Sequence, residues 1–368
     1  FVREQAETER FEEANRDISR VGERVGQLFV FLFPATILVL DVTMTGVVWF
    51  GGHQVGAGQV EVGTLVAFMS YLLQILMGIV MASFMTMSIP RAAVCAERIS
   101  EVLATDPSLT VAPDAVSDFP RPGTVEMRDV AFTYPGAEEP VLTGISFTAA
   151  PGQTVAVVGS TGSGKTTLVN LLPRLLEASD GRVLVGGTDV RRADSEALWS
   201  QLGLVPQKPF LFAGTIASNL RLGREGATDD ELWKALEIAQ ARDFVTEMDG
   251  GLEAPIAQGG TNVSGGQRQR LAIARALVRR PAVLVFDDSF SALDVATDAR
   301  LRAALRPATT GITKIVVAQR VSTIIDADLI LVLDEGRLAA KGTHDELLDT
   351  SRTYREIVTS QLGSEAAA

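Results

Sequence analysis

At 368 residues the chain is long enough for two or three domains, on a prior of about one per 150 residues. Its 45 acidic against 33 basic residues leave a net charge of −12, which argues against a nucleic-acid surface while leaving a nucleotide pocket free to be locally positive. The single cysteine, Cys95, excludes an internal disulfide.

The chain opens at Phe1 inside a charged helical pattern, without initiator methionine or signal sequence, which reads as a piece lacking its N-terminal part. Residues 1–27 place Phe11, Ala14, Ile18, Val21 and Val25 on one helical stripe among Arg and Glu, a cytoplasmic helix. Apolar runs at 28–50 and 62–89 are each long enough to span a bilayer, which takes about 20 residues. The loop between them lacks Lys and Arg, whereas arginines precede the first run and Arg91 and Arg98 follow the second. Both ends are therefore expected in the cytoplasm and the loop outside. Asp41, at mid-span, has two readings: a group facing a cavity or partner, or a carboxyl that only fixes helix packing. The methionines of the second run suit either a pocket for lipophilic molecules or a lipid-facing stripe.

A helix continues over 90–104, completing a partial transmembrane domain at 1–104. Prolines 107, 113, 120 and 122 mark 105–123 as a linker. From 124 to 361 β-rich runs alternate with helical patterns, at Val125–Tyr134, Ile145–Ala149, Thr154–Val158, Arg182–Val185, Leu202–Val205, Ala282–Phe286, Lys314–Ala318 and Leu329–Leu333. That alternation predicts an α/β sheet with a nucleotide at its strand C-termini. Residues 362–368 are an Ala-rich tail.

Within this domain Gly159-Ser160-Thr161-Gly162-Ser163-Gly164-Lys165-Thr166 follows a strand and precedes a segment with leucines at 168, 171, 172 and 175. Glycines there let backbone N–H groups wrap phosphate oxygens at a positive helix start. Lys165 would reach the β/γ-phosphates, and Thr166 would offer its hydroxyl to Mg²⁺. The apolar strand Ala282–Phe286 ends in two carboxylates, of which Asp287 is placed for the Mg²⁺ shell. Between them Ser264-Gly265-Gly266-Gln267 opens a helix over Leu271–Leu277, a second anion-binding helix start. One ATP cannot use both starts if they lie at opposite ends of one domain, so each can complete a site on another subunit.

This set resembles the nucleotide-binding domain of ATP-binding cassette (ABC) transporters, over essentially 1–361. Tyr134 matches the adenine-stacking aromatic, Gly159–Thr166 with Thr167 the Walker A loop, and Gln207 the Q-loop. Ser264–Gln267 match the signature, Asp287 the Walker B aspartate, and Ser291–Asp294 the D-loop. The resemblance implies a phosphate-loop ATPase fold with a RecA-like core, an antiparallel β-subdomain and a helical subdomain, preceded by two transmembrane helices. These helices look like the last two of the six in an exporter-type half-transporter. It further implies ATP and Mg²⁺ as cofactors, a second half-transporter as partner, no nucleic acid, and a multi-pass protein of the cell membrane with a cytoplasmic ATPase domain. Gln207 would sense the γ-phosphate and Mg²⁺, and closure of two cassettes on ATP would drive alternating access.

Four positions depart from the family pattern. Asp288 stands where a glutamate usually polarises the attacking water, followed by Ser289 where proline is frequent. Gln319 replaces the switch histidine, and Gln258 a frequent glutamate. Asp288 is shorter by one bond, roughly 1.5 Å, and Gln319 cannot take up a proton at neutral pH. Both changes fall on the site built on this chain's own Walker motifs, while the signature is intact. The expectation is the slow-site half of a heterodimeric transporter of lipophilic, drug-like or lipid molecules, with Asp288, Gln319 and Gln207 as its catalytic set. The alternatives are a homodimeric exporter, an importer of lipids or siderophores with exporter-like architecture, and an ATP-binding regulatory subunit.

Overall fold

The computed structural model describes residues 4–318, 320 and 324–365. The chain divides into two compact units, Phe1–Pro107 and Ser108–Ala368.

The first unit is two helices, α1 (Glu4–Gly56) and α2 (Val62–Leu103). At about 1.5 Å per residue they run roughly 80 and 63 Å. The charged stripe and the first apolar run form one unbroken helix. Pro34 and Pro90 both lie inside helices rather than at their ends. The connecting loop is shorter than the polar stretch suggests, because α1 continues through Gly56. Among the described residues the windows long and apolar enough to cross a membrane are Pro34–Gly56 and Val62–Ala82, which overlap the expected 28–50 and 62–89. Large apolar side chains along both, including Leu38, Trp49, Ile75 and Met81, are exposed, which marks a surface meant for lipid or neighbouring helices. Asp41 is exposed, and its backbone carbonyl accepts from the Thr45 hydroxyl at 2.7 Å.

The second unit holds β1 (Val125–Phe132), β2 (Leu142–Ala149), β3 (Thr154–Gly159), α3 (Lys165–Asn170), β4 (Asp180–Val185), β5 (Thr188–Asp189), α4 (Ser195–Gln201) and β6 (Leu202–Val205). It continues with β7 (Gly214–Thr215), α5 (Ile216–Arg221), α6 (Asp229–Ile238), α7 (Arg242–Glu247), β8 (Pro255–Ile256), α8 (Gly265–Val278), β9 (Val283–Asp287) and α9 (Val295–Ala308). Last come β10 (Thr313–Val317), β11 (Leu329–Asp334), β12 (Arg337–Gly342), α10 (His344–Thr350) and α11 (Arg352–Glu365). The central sheet has the order β12-β11-β3-β10-β9-β6, parallel except for β12. A four-stranded antiparallel sheet, β2-β1-β4-β5, packs beside it, and β7-β8 form a small ribbon.

Strand alternation separates two cores. Val155 and Val157 of β3, Val283 and Val285 of β9 and Ile315 of β10 join the antiparallel sheet, α3 and α4 in one core. Ala156, Val158, Leu284, Phe286 and Val316 face α5, α6, α8 and α9 in the other. Each of the Val, Leu, Ile and Phe side chains among these contributes about 1.5–3 kcal/mol by leaving water.

Several elements differ from expectation. The first strand stops at Phe132 rather than Tyr134, because Pro135 follows. The helix after the phosphate loop spans only Lys165–Asn170, and the leucines at 171 and 172 are buried in turns ahead of Pro173. The stretch 105–123 lacks regular structure but from 108 onward belongs to the second unit. Val116 pairs with Ala193, the Thr188 hydroxyl donates to Asp118 O at 2.7 Å, and Phe119 is buried.

Candidate functional site

Register sets the site. Val157, Val317 and Asp287 lie abreast on β3, β10 and β9, and Val205 of β6 sits beside Phe286. The strand ends therefore deliver Gly159, Asp287 and Gln207 to one edge of the sheet. Gly159 leaves β3 at φ 155°, and a Cβ there would collide with the Leu333 carbonyl oxygen. Gly164, at φ 94°, would bring a Cβ to 2.6 Å from Leu142 Cδ2. Glycine is required at both.

Between them Ser160, Thr161, Gly162 and Ser163 form the loop, with Ser163 N–H donating to Ser160 O at 3.2 Å. Lys165 Nζ folds over this loop, donating to Gly159 O at 3.0 Å and Ser160 O at 2.7 Å. Burial pulls its pKa down, against the charges of Asp288 and Asp287. The Ser163 hydroxyl is buried without a hydrogen-bond partner, so the loop contains an unsatisfied polar group. Tyr134, 41% exposed, stacks edge-on against Phe132 with centroids 4.8 Å apart, and its hydroxyl lies 3.1 Å from Thr167 Oγ1. An exposed ring fixed to the phosphate-loop helix can offer a face to a flat base.

Thr166 Oγ1 donates to Asp287 Oδ1 at 3.1 Å, joining residues 121 apart in sequence. This hydroxyl–carboxylate pair is an all-oxygen donor set, which suits a hard cation bound also by phosphate and water. Among the described residues no group of three or more His, Cys, Asp or Glu could hold a metal. Gln207 Nε2 donates to Asp288 Oδ2 at 3.1 Å. Both aspartates are buried, and burial pushes both carboxyls above their ordinary range. For Asp287 the Thr166 hydrogen bond opposes this, and for Asp288 those of Gln207 and Ser291 do. Asp288 adopts φ 47° and sends its N–H to Val317 O at 3.1 Å, away from the β6 side. Gln319 lies outside the described residues. Arg320 beside it lowers the Asp288 pKa through its charge.

Ser264 caps α8 in a reciprocal box: its hydroxyl accepts from Gln267 N–H at 3.2 Å, and Gln267 Oε1 accepts from Ser264 N–H at 2.8 Å. A Cβ on Gly265 would meet open space. The α8 helix packs in the core opposite to that of α3, so the two helix starts belong to opposite faces of the central sheet. Gln258 is exposed in a short helical turn. His344 is occupied structurally, its Nδ1 lying 2.7 Å from the hydroxyl of buried Tyr354, whose pKa burial pushes up to about 12. Two polar groups beside the site escaped the sequence reading as contacts: Ser289, whose hydroxyl donates to Val205 O at 2.8 Å, and Gln269, whose Nε2 donates to Pro206 O at 3.4 Å. The signal for Gln269 was a polar side chain on the apolar stripe of α8.

The family profile described as ABC transporter matches residues 142–291, and that described as ABC transporter transmembrane region matches residues 1–80. An uncharacterized ABC transporter ATP-binding protein of Mycobacterium tuberculosis is 49% identical over 98% of this chain and 62% of its own length. A fatty acid ABC transporter ATP-binding/permease protein of the same species is 36% identical over 97% of this chain and 56% of its own. The solved structure of a bacterial Atm1-family ABC exporter with ATP bound superposes with a TM-score of 0.82, at 32% identity over 98% of this chain and 63% of that one. The chain thus spans less than two thirds of the length of the proteins it matches. The glycine-cradled loop, the carboxylate pair at the end of β9 and the capped second helix start sit on a fold shared at this level, and the chain belongs to the ABC transporters, joining the family's transmembrane region to its ATPase domain.

Proposed function

We propose that this chain is one half of a dimeric ABC exporter of the cell membrane, binding ATP tightly and hydrolysing it slowly at its own site. The observation that carries the reading is the convergence of Lys165, Thr166, Asp287, Asp288 and Gln207 at one sheet edge. Lys165, already folded over the loop, binds the β/γ-phosphates once it leaves the carbonyls it now caps. The N–H groups of Ser160–Thr166 wrap the phosphate chain, Thr167 fixes Tyr134, and Tyr134 receives the adenine. Thr166 and Asp287 hold Mg²⁺, with Gln207 beside them. Bound there, the ion neutralises phosphate charge.

Slow turnover follows from Asp288. Its carboxylate is one bond short of the usual glutamate and is engaged by Gln207. A misplacement of about 1 Å can cost on the order of a hundredfold in rate. Gln319 accepts no proton in place of a histidine. Ser264, Gly265, Gly266 and Gln267 are assigned to the partner's nucleotide, a reading supported by the packing of α8 in the core opposite to that of α3. Two windows long and apolar enough to cross a membrane, with arginines beyond their outer ends, support a cytoplasmic ATPase domain. A lipophilic or lipid cargo is supported by the apolar helices and by the fatty acid transporter among the relatives.

The test is ATPase activity of the full-length protein alone and co-expressed with a second half-transporter that carries the usual glutamate and switch histidine. Negligible turnover alone and strong turnover together is expected, and Asp288→Glu raises the lone protein's rate by about a hundredfold. Comparable turnover in both preparations would replace the heterodimer with a homodimeric pump.

A further inference from the structure

The segment Val205-Pro206-Gln207 should be poorly held. It leaves the edge strand β6, whose pairing with β9 ends at Val205 and Phe286. Pro206 has no N–H to continue a ladder. On the other side of the pairing Asp288 turns into the left-handed region, and its N–H goes to Val317 O rather than back toward β6. The segment is nevertheless gripped by side chains at three successive residues. Ser289, fully buried, donates its hydroxyl to Val205 O at 2.8 Å. Gln269, 1% exposed on α8, donates to Pro206 O at a longer 3.4 Å. Gln207 itself donates to Asp288 Oδ2 at 3.1 Å. These bonds join positions 84, 63 and 81 residues apart, so they are tertiary contacts rather than turn chemistry.

We propose that Ser289 and Gln269 are positioning residues that hold the root of the Q-loop, fixing where the Gln207 amide can reach. Ser289 is the chain neighbour of the carboxylate that Gln207 meets, so the hydroxyl and the carboxylate grip the two ends of a three-residue segment from one short stretch of backbone. Gln269 adds a hold from the helix that begins with the signature serine. The root of the Q-loop thereby moves with the end of β9 and with α8 as one body, and a proline or alanine at 289 could not make the bond to Val205 O. The inference rests on the nucleotide-site reading above, in which Gln207 works beside Mg²⁺.

The experiment is calorimetric titration of ATP into the full-length protein, with Mg²⁺ and separately with EDTA, for wild type, Ser289→Ala, Ser289→Thr, Gln269→Leu, Gln207→Ala and Ser289→Ala/Gln207→Ala. Ser289→Ala is expected to weaken Mg-ATP binding about tenfold, the scale of one buried hydrogen bond, while binding in EDTA stays within about twofold. Gln269→Leu, losing a longer bond, weakens it about threefold, and Ser289→Thr, which keeps the hydroxyl, stays within about threefold of wild type. The double variant is no weaker than Gln207→Ala alone, because the hydroxyl acts only through that amide. Additive losses in the double variant, or equal losses with and without Mg²⁺, overturn the proposal while leaving the nucleotide site standing. A wild type that binds no ATP, indistinguishable from Lys165→Ala, removes both readings. Should Ser289→Ala fail to fold, Gln269→Leu carries the same cycle with Gln207→Ala.

Discussion

At Asp288 a carboxylate is buried, twisted to φ 47° and faced by Gln207, Ser291, Lys165 and Arg320. Asp and Asn tolerate this backbone region better than most residues, so the turn after β9 is compatible with either. The native state binds the Asp288 proton more tightly than the unfolded chain does. Its contribution to stability is therefore complete below the unfolded pKa and lost as pH rises through the folded one. Asp288→Asn removes that loss. It is expected to raise the melting temperature of the nucleotide-free protein by roughly 3 °C at pH 7.5, with the gain shrinking toward pH 4. Differential scanning calorimetry at the two pH values checks this, and an equal gain at both would mean that the carboxyl is not strained by burial. The loop glycines, Lys165, Thr166 and the two aspartates were all legible, because glycine spacing and a strand ending in carboxylates are local patterns. The bond between Thr166 and Asp287 was not legible as geometry, since it joins residues 121 apart.

The α8 helix separates two roles for one serine. Ser264 closes a capping box with Gln267, and the same helix start is the surface assigned to the partner's phosphates. Ser264→Ala loses both and costs about 1 kcal/mol of stability. Ser264→Asp keeps an N-cap acceptor but places negative charge where a phosphate would lie. Its melting temperature should match wild type, while ATPase of the assembled complex falls at least about tenfold. Retained ATPase would mean that this helix start meets no nucleotide. Other elements show where periodicity stops informing. Strand β12 reads Arg-Leu-Ala-Ala-Lys-Gly and is only half-buried at an edge, so it carries no apolar run to detect. The α3 helix is shorter than its leucine spacing suggests, because Pro173 and the left-handed Arg174 favour turns and the buried leucines are satisfied without a helix.

For the whole molecule, the single exposed cysteine offers a clean test of orientation. In inside-out vesicles Cys95 should react with a membrane-impermeant maleimide, and in right-side-out vesicles it should not. Cys95→Ala carrying Gln59→Cys, in the turn between the two helices, should show the reverse. Labelling of both positions from one side would exclude two membrane crossings.

Length, the two apolar runs, arginine placement and the order of the phosphate-loop motifs could be read directly from the chain. Each depends on composition or on neighbours within a few residues, where backbone chemistry and bilayer thickness leave little choice. The strand order β3-β10-β9-β6 could not be read that way, and it alone brings Gly159, Asp287 and Gln207 to one edge. The same holds for the division of α3 and α8 between two cores, and for the hold of Ser289 and Gln269 on the Q-loop root. Those contacts arise between segments separated by 30 to 160 residues, where sheet pairing and core packing, rather than local preference, decide which groups meet.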